Sequence, residues 1–304
     1  MVQENNINLI IVCGPTASGK TALSVEIAKL LDTEIIYADS MDIYKGLDIG
    51  TAKPTKEEMC GIKHHLIDVV EPTDSFTVFD YREKAKPIID NLIQKGKIPV
   101  ICGGTGFYIN SILYNLSYGQ GTGDLKVREK YKDLAEKYGN EYVYNILKEV
   151  DSASAEKLHF NDVKRVIRAL EIYETGVKKS DIVDEKTPNY NYIAVYIDFD
   201  RAELYDRINK RVDIMFESGL LDEIKMLLDK GITKDCQCMQ GIGYKEVLSF
   251  IDGDVDLDSV KEQIKINTRH YAKRQLTFFK GLPNLLALKK DDPKNLAKFV
   301  VEKV

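Results

Sequence analysis

No uninterrupted apolar stretch in the 304 residues approaches the roughly 18 needed to cross a bilayer, so a membrane protein is not expected. The first eight residues have neither a basic start nor an apolar stretch, which argues against a secretory signal; the expected compartment is the cytoplasm. Cysteine is scarce and odd in number, five in all, at positions 13, 60, 102, 236 and 238. Without a framework spacing these read as reduced thiols. Cys236 and Cys238 lack a second pair at ligand spacing, so a zinc site is not expected. Cys13 and Cys102 end apolar runs and are expected in the core. No internal repeat and no low-complexity tract occurs. Positive charge is also in deficit, with 43 Lys and Arg against 48 Asp and Glu and a net charge of −5, which alone argues weakly against a nucleic-acid partner. Its distribution says more. Residues 261–280 hold six Lys or Arg and one Glu, so an acidic chain can still present a phosphate-binding face.

A content of 44% hydrophobic and 30% charged residues describes a globular chain large enough for one core or a core with an inserted domain. Residues 8–13 are continuously apolar, as in a buried parallel strand. A glycine-rich turn and a helical pattern at 20–31 follow. Residues 34–38 read as a second strand, residues 65–70 as a further apolar stretch, and residues 98–102 as another strand. A long helix is expected from about Phe76, capped by Asp74 or Ser75. Alternating strands and helices imply a parallel sheet. From about 117 to 188 the periodicity is helical, before residues 192–198 restore the strand signal. After Arg201 the chain is mostly helical, with Leu204, Ile208, Val212 and Met215 on one stripe and Gly219 ending that helix. Residues 285–288 fit a last strand. The expected fold is α/β: a P-loop NTPase-like parallel core from residues 1–116 and 189–304, a helical domain inserted at 117–188, and a helical C-terminal part.

The turn at 14–21 reads GPTASGKT and fits G-x-x-x-x-G-K-[ST] in full, between a predicted strand and a predicted helix. Gly14 and Gly19 let the backbone curl so that the N–H groups of Thr16, Ala17, Ser18 and their neighbours point inward. The helix N-terminus adds partial positive charge. Lys20 supplies a full charge, and the Thr21 hydroxyl suits Mg²⁺. Such a cradle reports a polyphosphate without saying which one. Asp39 follows the second strand, on the side where doubly wound sheets bind ligands. There it can act as a general base, or equally as a helix cap or an outer partner of Mg²⁺. Asp42 and Asp48 are expected to be solvated. A second turn, GGTGFY at 103–108, offers the Thr105 hydroxyl and its helix-start N–H to a ligand, although a capped strand-to-helix turn would explain the glycines as well.

Three basic helical clusters complete the inventory: Lys164, Arg165 and Arg168; Arg207 and Arg211; and Arg269, Lys273, Arg274 and Lys280 interleaved with Tyr271, Phe278 and Phe279. Basic and aromatic side chains together suit phosphates and stacked bases, whereas any one cluster alone is more often a solvated face.

In order along the chain, GPTASGKT (14–21), DSMDIY (39–44), DIGTAKP (48–54), HHLID (64–68), GGTGFY (103–108), NDVKRVIRALE (161–171), GIGYK (241–245) and RQLTFF (274–279) closely resemble the bacterial tRNA dimethylallyltransferase family. The resemblance implies transfer of a dimethylallyl group from its diphosphate to the exocyclic amine of adenosine 37 in a tRNA anticodon loop, the base being flipped into a channel. It implies Asp39 as general base, Thr21 as Mg²⁺ ligand, and Lys20 with one or both of Arg207 and Arg211 on the diphosphate. It places Thr105 on the target nucleotide. Asp39, Ser40, Met41, Asp42, Arg128, Lys164, Arg165, Arg168, Gln240, Gly243, Tyr244 and Lys245 are implied to contact tRNA. Two positions depart from the pattern: many members have Gln at the place of Asp42 and Trp at that of Phe278. The chain also ends without the zinc-finger extension of eukaryotic relatives, as expected of a bacterial-type enzyme. A monomer is expected. A P-loop kinase for a nucleoside or small metabolite would explain the P-loop and Asp39 equally well, but not the insertion or the basic helices. A prenyltransferase for free adenine nucleotides would not need three basic clusters, and a non-catalytic RNA-binding module would leave the P-loop unused.

Overall fold

The computed structural model describes residues 6–116, 125–183, 185 and 187–304. The chain runs β1 (Leu9–Cys13), α1 (Lys20–Leu30), β2 (Ile35–Tyr37), α2 (Lys56–Met59), β3 (His64–His65), α3 (Val78–Gln94), β4 (Val100–Gly103) and α4 (Gly106–Leu113). Four helices follow: α5 (Leu125–Tyr138), α6 (Asn140–Val150), α7 (Ser152–Ala155) and α8 (Val163–Glu174). Then come β5 (Tyr192–Asp198), α9 (Arg201–Glu217), α10 (Leu220–Asp229), α11 (Tyr244–Ile251), α12 (Leu257–Phe279), β6 (Leu285–Lys289) and α13 (Pro293–Val301). Two compact units result, Met1–Leu113 with Pro188–Val304, and Tyr114–Thr187.

The strands of the first unit form one parallel sheet in the order β3-β2-β4-β1-β5-β6. The continuous apolar run of β1 follows from its central place. Ile10 and Val12 pack with residues of α1 and α13, such as Leu23, Ile27, Leu296 and Val300. Leu9, Ile11 and Cys13 face the opposite way and are equally buried, so neither face tolerates the polar alternation of a half-wet strand. Cys102 is buried as well.

Because β4 lies between β1 and β2, the turns that follow β1, β2 and β4 leave three adjacent strands at the same end. In doubly wound sheets this is where ligands bind. The apolar stretch 65–70 gives little strand. Leu66 and Asp68 adopt left-handed backbone, at φ 65° and 54°, which breaks an extended run; pairing resumes only as a bridge from Val70 to Tyr44. Helix α3 is capped neither by Asp74 nor by Ser75. Thr77 caps it, because its hydroxyl accepts from the Asp80 N–H while the Asp80 carboxylate accepts from the Thr77 N–H, completing a capping box. In the second unit, Val143, Leu147, Val166, Ile167 and Leu170 form a separate core. No helix of the described residues is long and apolar enough to cross a membrane.

Candidate active site

The cradle after β1 is built on unusual backbone. Gly14, Ala17 and Gly19 have φ of 131°, 63° and 78°; at Ala17 this is a strained conformation for a residue with a side chain. Helix α1 then starts at Lys20. Among the described residues it has no side-chain cap and no acidic group in its first turn, so its leading N–H groups and positive dipole end are available to an anion. The buried Ser18 donates Oγ to the Pro15 carbonyl at 2.8 Å, and Lys20 donates Nζ to the same oxygen at 2.7 Å. Burial lowers the Lys20 ammonium from its ordinary range, with nearby Arg211 acting in the same direction. A polyanion in the cradle would relieve both effects.

Two arginines of α9 reach toward this turn. Arg207 donates Nε to the Ala17 carbonyl at 2.7 Å, and Arg211 donates to the Thr51 carbonyl at 2.9 Å. The Arg211 Nε is buried without a partner among the described residues, a donor still to be satisfied. The Thr21 hydroxyl shares a hydrogen bond of 2.9 Å with the Tyr37 hydroxyl. No group of three or more metal-ligating side chains occurs among the described residues. A hydroxyl beside an anion cradle nevertheless fits Mg²⁺, which commonly takes most of its ligands from phosphate and water.

Asp39 emerges from β2 onto the wall of the same cavity, which encloses about 600 Å³. Its Oδ1 accepts from the Met41 N–H at 2.9 Å, fixing the carboxylate at the turn. The Thr105 hydroxyl accepts from the Ser40 N–H at 3.0 Å. The Thr105 N–H, expected to face a ligand, instead donates to the Ala38 carbonyl at 3.0 Å. That close approach explains Gly103, where an added Cβ would fall 2.1 Å from the Ala38 oxygen.

Asp42 corrects the expectation of a solvated residue: it is 5% exposed. Burial first and the Asp39 charge second push its carboxyl up to about 8. Asp48, by contrast, is exposed and pairs with Lys53 at 2.7 Å. Tyr244 also differs from expectation. It is fully buried beneath Gly50 and donates its hydroxyl to Glu223 at 2.7 Å, so it offers no exposed surface to a polymer. Gly243 is buried too, at φ 99°, with its N–H held by Glu246 at 2.7 Å. Gln240 and Lys245 are exposed, and Met41 packs where a Cβ on Gly241 would fall.

In the second unit, Arg128 and Arg168 both bind the buried Glu171, at 2.6 and 2.9 Å. Arg165 stays 72% exposed, with Asp162 at 3.3 Å, and Lys164 is exposed.

Gln275 and Glu223 have structural roles that the sequence did not assign, and Tyr271, grouped there only with a basic-aromatic cluster, has a place at the cavity. Gln275 accepts from the Thr16 N–H at 3.0 Å and donates to the Gly104 carbonyl at 2.9 Å, joining the two glycine turns. Glu223 accepts from the N–H groups of Asp48, Ile49 and Gly50 at 2.8, 2.7 and 3.1 Å, which holds the loop carrying Thr51. Tyr271 lines the cavity, and its burial raises its phenol. Gln275 lies within the RQLTFF motif; nothing local marks Glu223.

The family model described as IPP transferase matches residues 42–282. The chain is 49% identical over 289 residues to a tRNA dimethylallyltransferase of Acetivibrio thermocellus, covering 94% of this chain and 92% of that one. It is 47% identical over 295 residues to that of Thermoanaerobacter pseudethanolicus, covering 95% and 94%. Among solved structures, the tRNA isopentenylpyrophosphate transferase of Bacillus halodurans superimposes with a TM-score of 0.73 at 40% identity, over 98% of this chain and 97% of that one. A eukaryotic dimethylallyltransferase captured acting on tRNA gives 0.76 at 29% identity, over 96% and 75%. With an anion cradle and a carboxylate on one cavity and relatives matched along nearly its whole length, the chain belongs to the IPP transferase family, that of the tRNA dimethylallyltransferases.

Proposed function

We propose that the protein transfers a dimethylallyl group from dimethylallyl diphosphate to the exocyclic amine of an adenosine in tRNA, at position 37 of the anticodon loop, releasing pyrophosphate. The observation that carries this reading is the convergence of an anion cradle and a carboxylate, from strands β1 and β2 on either side of β4, on one cavity. The N–H groups of residues 17–21, with Lys20, Arg207 and Arg211, bind the diphosphate. Thr21 would hold Mg²⁺, which when bound would neutralise charge on the leaving pyrophosphate. The donor's C1–O bond breaks as the amine nitrogen bonds C1. The electron pair leaves with the pyrophosphate, where Lys20 and the two arginines meet the growing charge. Asp39 accepts the proton that the amine loses. A stacked base must leave its neighbours to reach such a cavity, and the basic residues 164–168, with Gln240 and Lys245, are the surfaces assigned to the RNA.

Incubation with Mg²⁺, dimethylallyl diphosphate and an anticodon stem-loop tests the reading. The RNA should gain the mass of one dimethylallyl group, and the same loop with inosine in place of the adenosine should gain none. Equal modification of both would place the chemistry elsewhere than on the amine.

A further inference from the structure

Asp42 lines the active-site cavity, yet its Oδ1 is closed off from solvent and has no hydrogen-bond partner among the described residues. An ionised carboxylate in that position would be costly. The charged neighbours do not pair with it. Lys53 gives its ammonium to Asp48 at 2.7 Å, Asp68 at 2.6 Å and the Tyr44 carbonyl at 2.8 Å. Arg211 gives a hydrogen bond to the Thr51 carbonyl. Asp39 on the same turn, Tyr37 on β2, Cys102 on β4 and Tyr244 on α11 face it as well. Thr51, Arg211 and Lys53 favour the anion, but burial and Asp39 outweigh them. Two carboxyl groups on one cavity wall thus differ in exposure: Asp39 is half-buried, and Asp42 is enclosed.

A neutral carboxylic acid presents one O–H donor and one carbonyl acceptor. Adenine presents the complement, an amine donor beside a ring-nitrogen acceptor, whereas guanine presents two acceptors at O6 and N7. A carboxylate, with acceptors alone, would repel the ring nitrogen.

We propose that Asp42 is a specificity-determining residue that works as the neutral acid: its O–H donates to a ring nitrogen of the flipped adenine and its carbonyl accepts one amine hydrogen, leaving the other amine hydrogen to Asp39. This rests on the prenyl-transfer reading above. Asp42 keeps its proton throughout the reaction, so the single proton released passes to Asp39. Ionisation of Asp42 at high pH removes the donor and places two acceptors against the ring nitrogen.

The test is the pH profile of kcat/KM for transfer to an anticodon stem-loop, on both sides of pH about 8, for wild type, Asp42→Asn and Asp42→Ala. Wild type should lose about tenfold per pH unit once the acid ionises. Asp42→Asn, with an amide that keeps donor and acceptor at every pH, should run several-fold below wild type at neutral pH and lack the alkaline fall. Asp42→Ala should lose activity at every pH. An Asp42→Asn variant as impaired as Asp42→Ala, or a wild-type profile with no alkaline fall, would overturn the inference. An infrared titration of wild type adds a readout independent of activity. A buried neutral-carboxyl carbonyl band should be present at neutral pH and vanish as pH rises, and its absence at neutral pH would also overturn the inference. Wild type inactive at every pH would sink the prenyl-transfer reading itself, whereas active wild type with an inactive Asp42→Asn would sink only this assignment.

Discussion

Gln275 accepts a hydrogen bond from the Thr16 N–H at 3.0 Å, across 259 residues of chain. The same amide donates to the Gly104 carbonyl, and there is no room there for a larger residue, since a Cβ on Gly104 would lie 2.2 Å from the Gln275 nitrogen. One buried amide therefore sets the spacing between the phosphate cradle and the turn that carries Thr105. Gln275→Leu should leave two backbone groups unpaired, each costing about 1–3 kcal/mol. We expect a lower melting temperature and a higher KM for both donor and RNA. An effect on the RNA alone would show that the amide does not hold the cradle.

Asp39→Ala should lower the rate of transfer by about 10²–10⁴-fold, the usual contribution of a positioned general base, with tRNA affinity near that of wild type. Single-turnover rates and a filter-binding titration separate the two. Near-normal turnover would remove Asp39 from the proton transfer.

Lys20→Ala should raise the KM for dimethylallyl diphosphate and lower kcat, because Lys20 meets charge that grows as the C1–O bond breaks. Thr21→Val keeps the shape and removes the hydroxyl, so it should shift the Mg²⁺ dependence to higher concentration. A Mg²⁺ titration of transfer rate checks this, and an unchanged midpoint would place the ion on other groups.

Arg165→Ala is expected to weaken tRNA binding and to flatten the slope of log affinity against log salt, by about 0.7 if the lost contact is to a single-stranded phosphate and about 0.9 if to a duplex. Donor binding should not change, since Arg165 belongs to the unit that lacks the cradle. Arg128 and Arg168 are less clean probes, because each also neutralises the buried Glu171, and their removal would destabilise the helical unit. Unchanged affinity and slope for Arg165→Ala would leave this residue a solvated surface charge.

Stability should also carry the mark of Asp42. Its carboxyl is pushed up in the folded protein to about 8, so the native state holds a proton that the unfolded chain releases at lower pH. The contribution of this group is complete below the ordinary carboxylate range and is withdrawn as pH rises through about 8. The denaturation midpoint of Asp42→Asn should fall less than that of wild type over this window, and parallel curves would contradict the burial of a neutral acid.

The parts of this site that were legible in the sequence are those set by neighbours in the chain. The strand-turn-helix of residues 9–30 follows from an apolar run, two glycines and a helical pattern. The sequence points to Asp74 or Ser75 as the cap of α3 because both precede Phe76, whereas Asp80 at the third helical position decides for Thr77. Asp42 was read as solvated because its polar neighbours are visible in the sequence and its enclosure is not. The walls that bury it, Arg211 and Tyr244, arrive from more than 160 residues away. Tyr244 was grouped with RNA contacts by adjacency in a motif, whereas its burial under Gly50 depends on the packing of α11 against the loop held by Glu223.

The central claim is that the cradle takes a prenyl diphosphate and that the acceptor is an RNA adenine. Supplying the protein with Mg²⁺, equal concentrations of ATP and dimethylallyl diphosphate, and an anticodon stem-loop tests both halves at once. The expected result is one dimethylallyl group per RNA, one pyrophosphate released for each, and ATP left unconsumed. Consumption of ATP with the RNA unmodified would contradict the claim and assign the P-loop to a nucleotide.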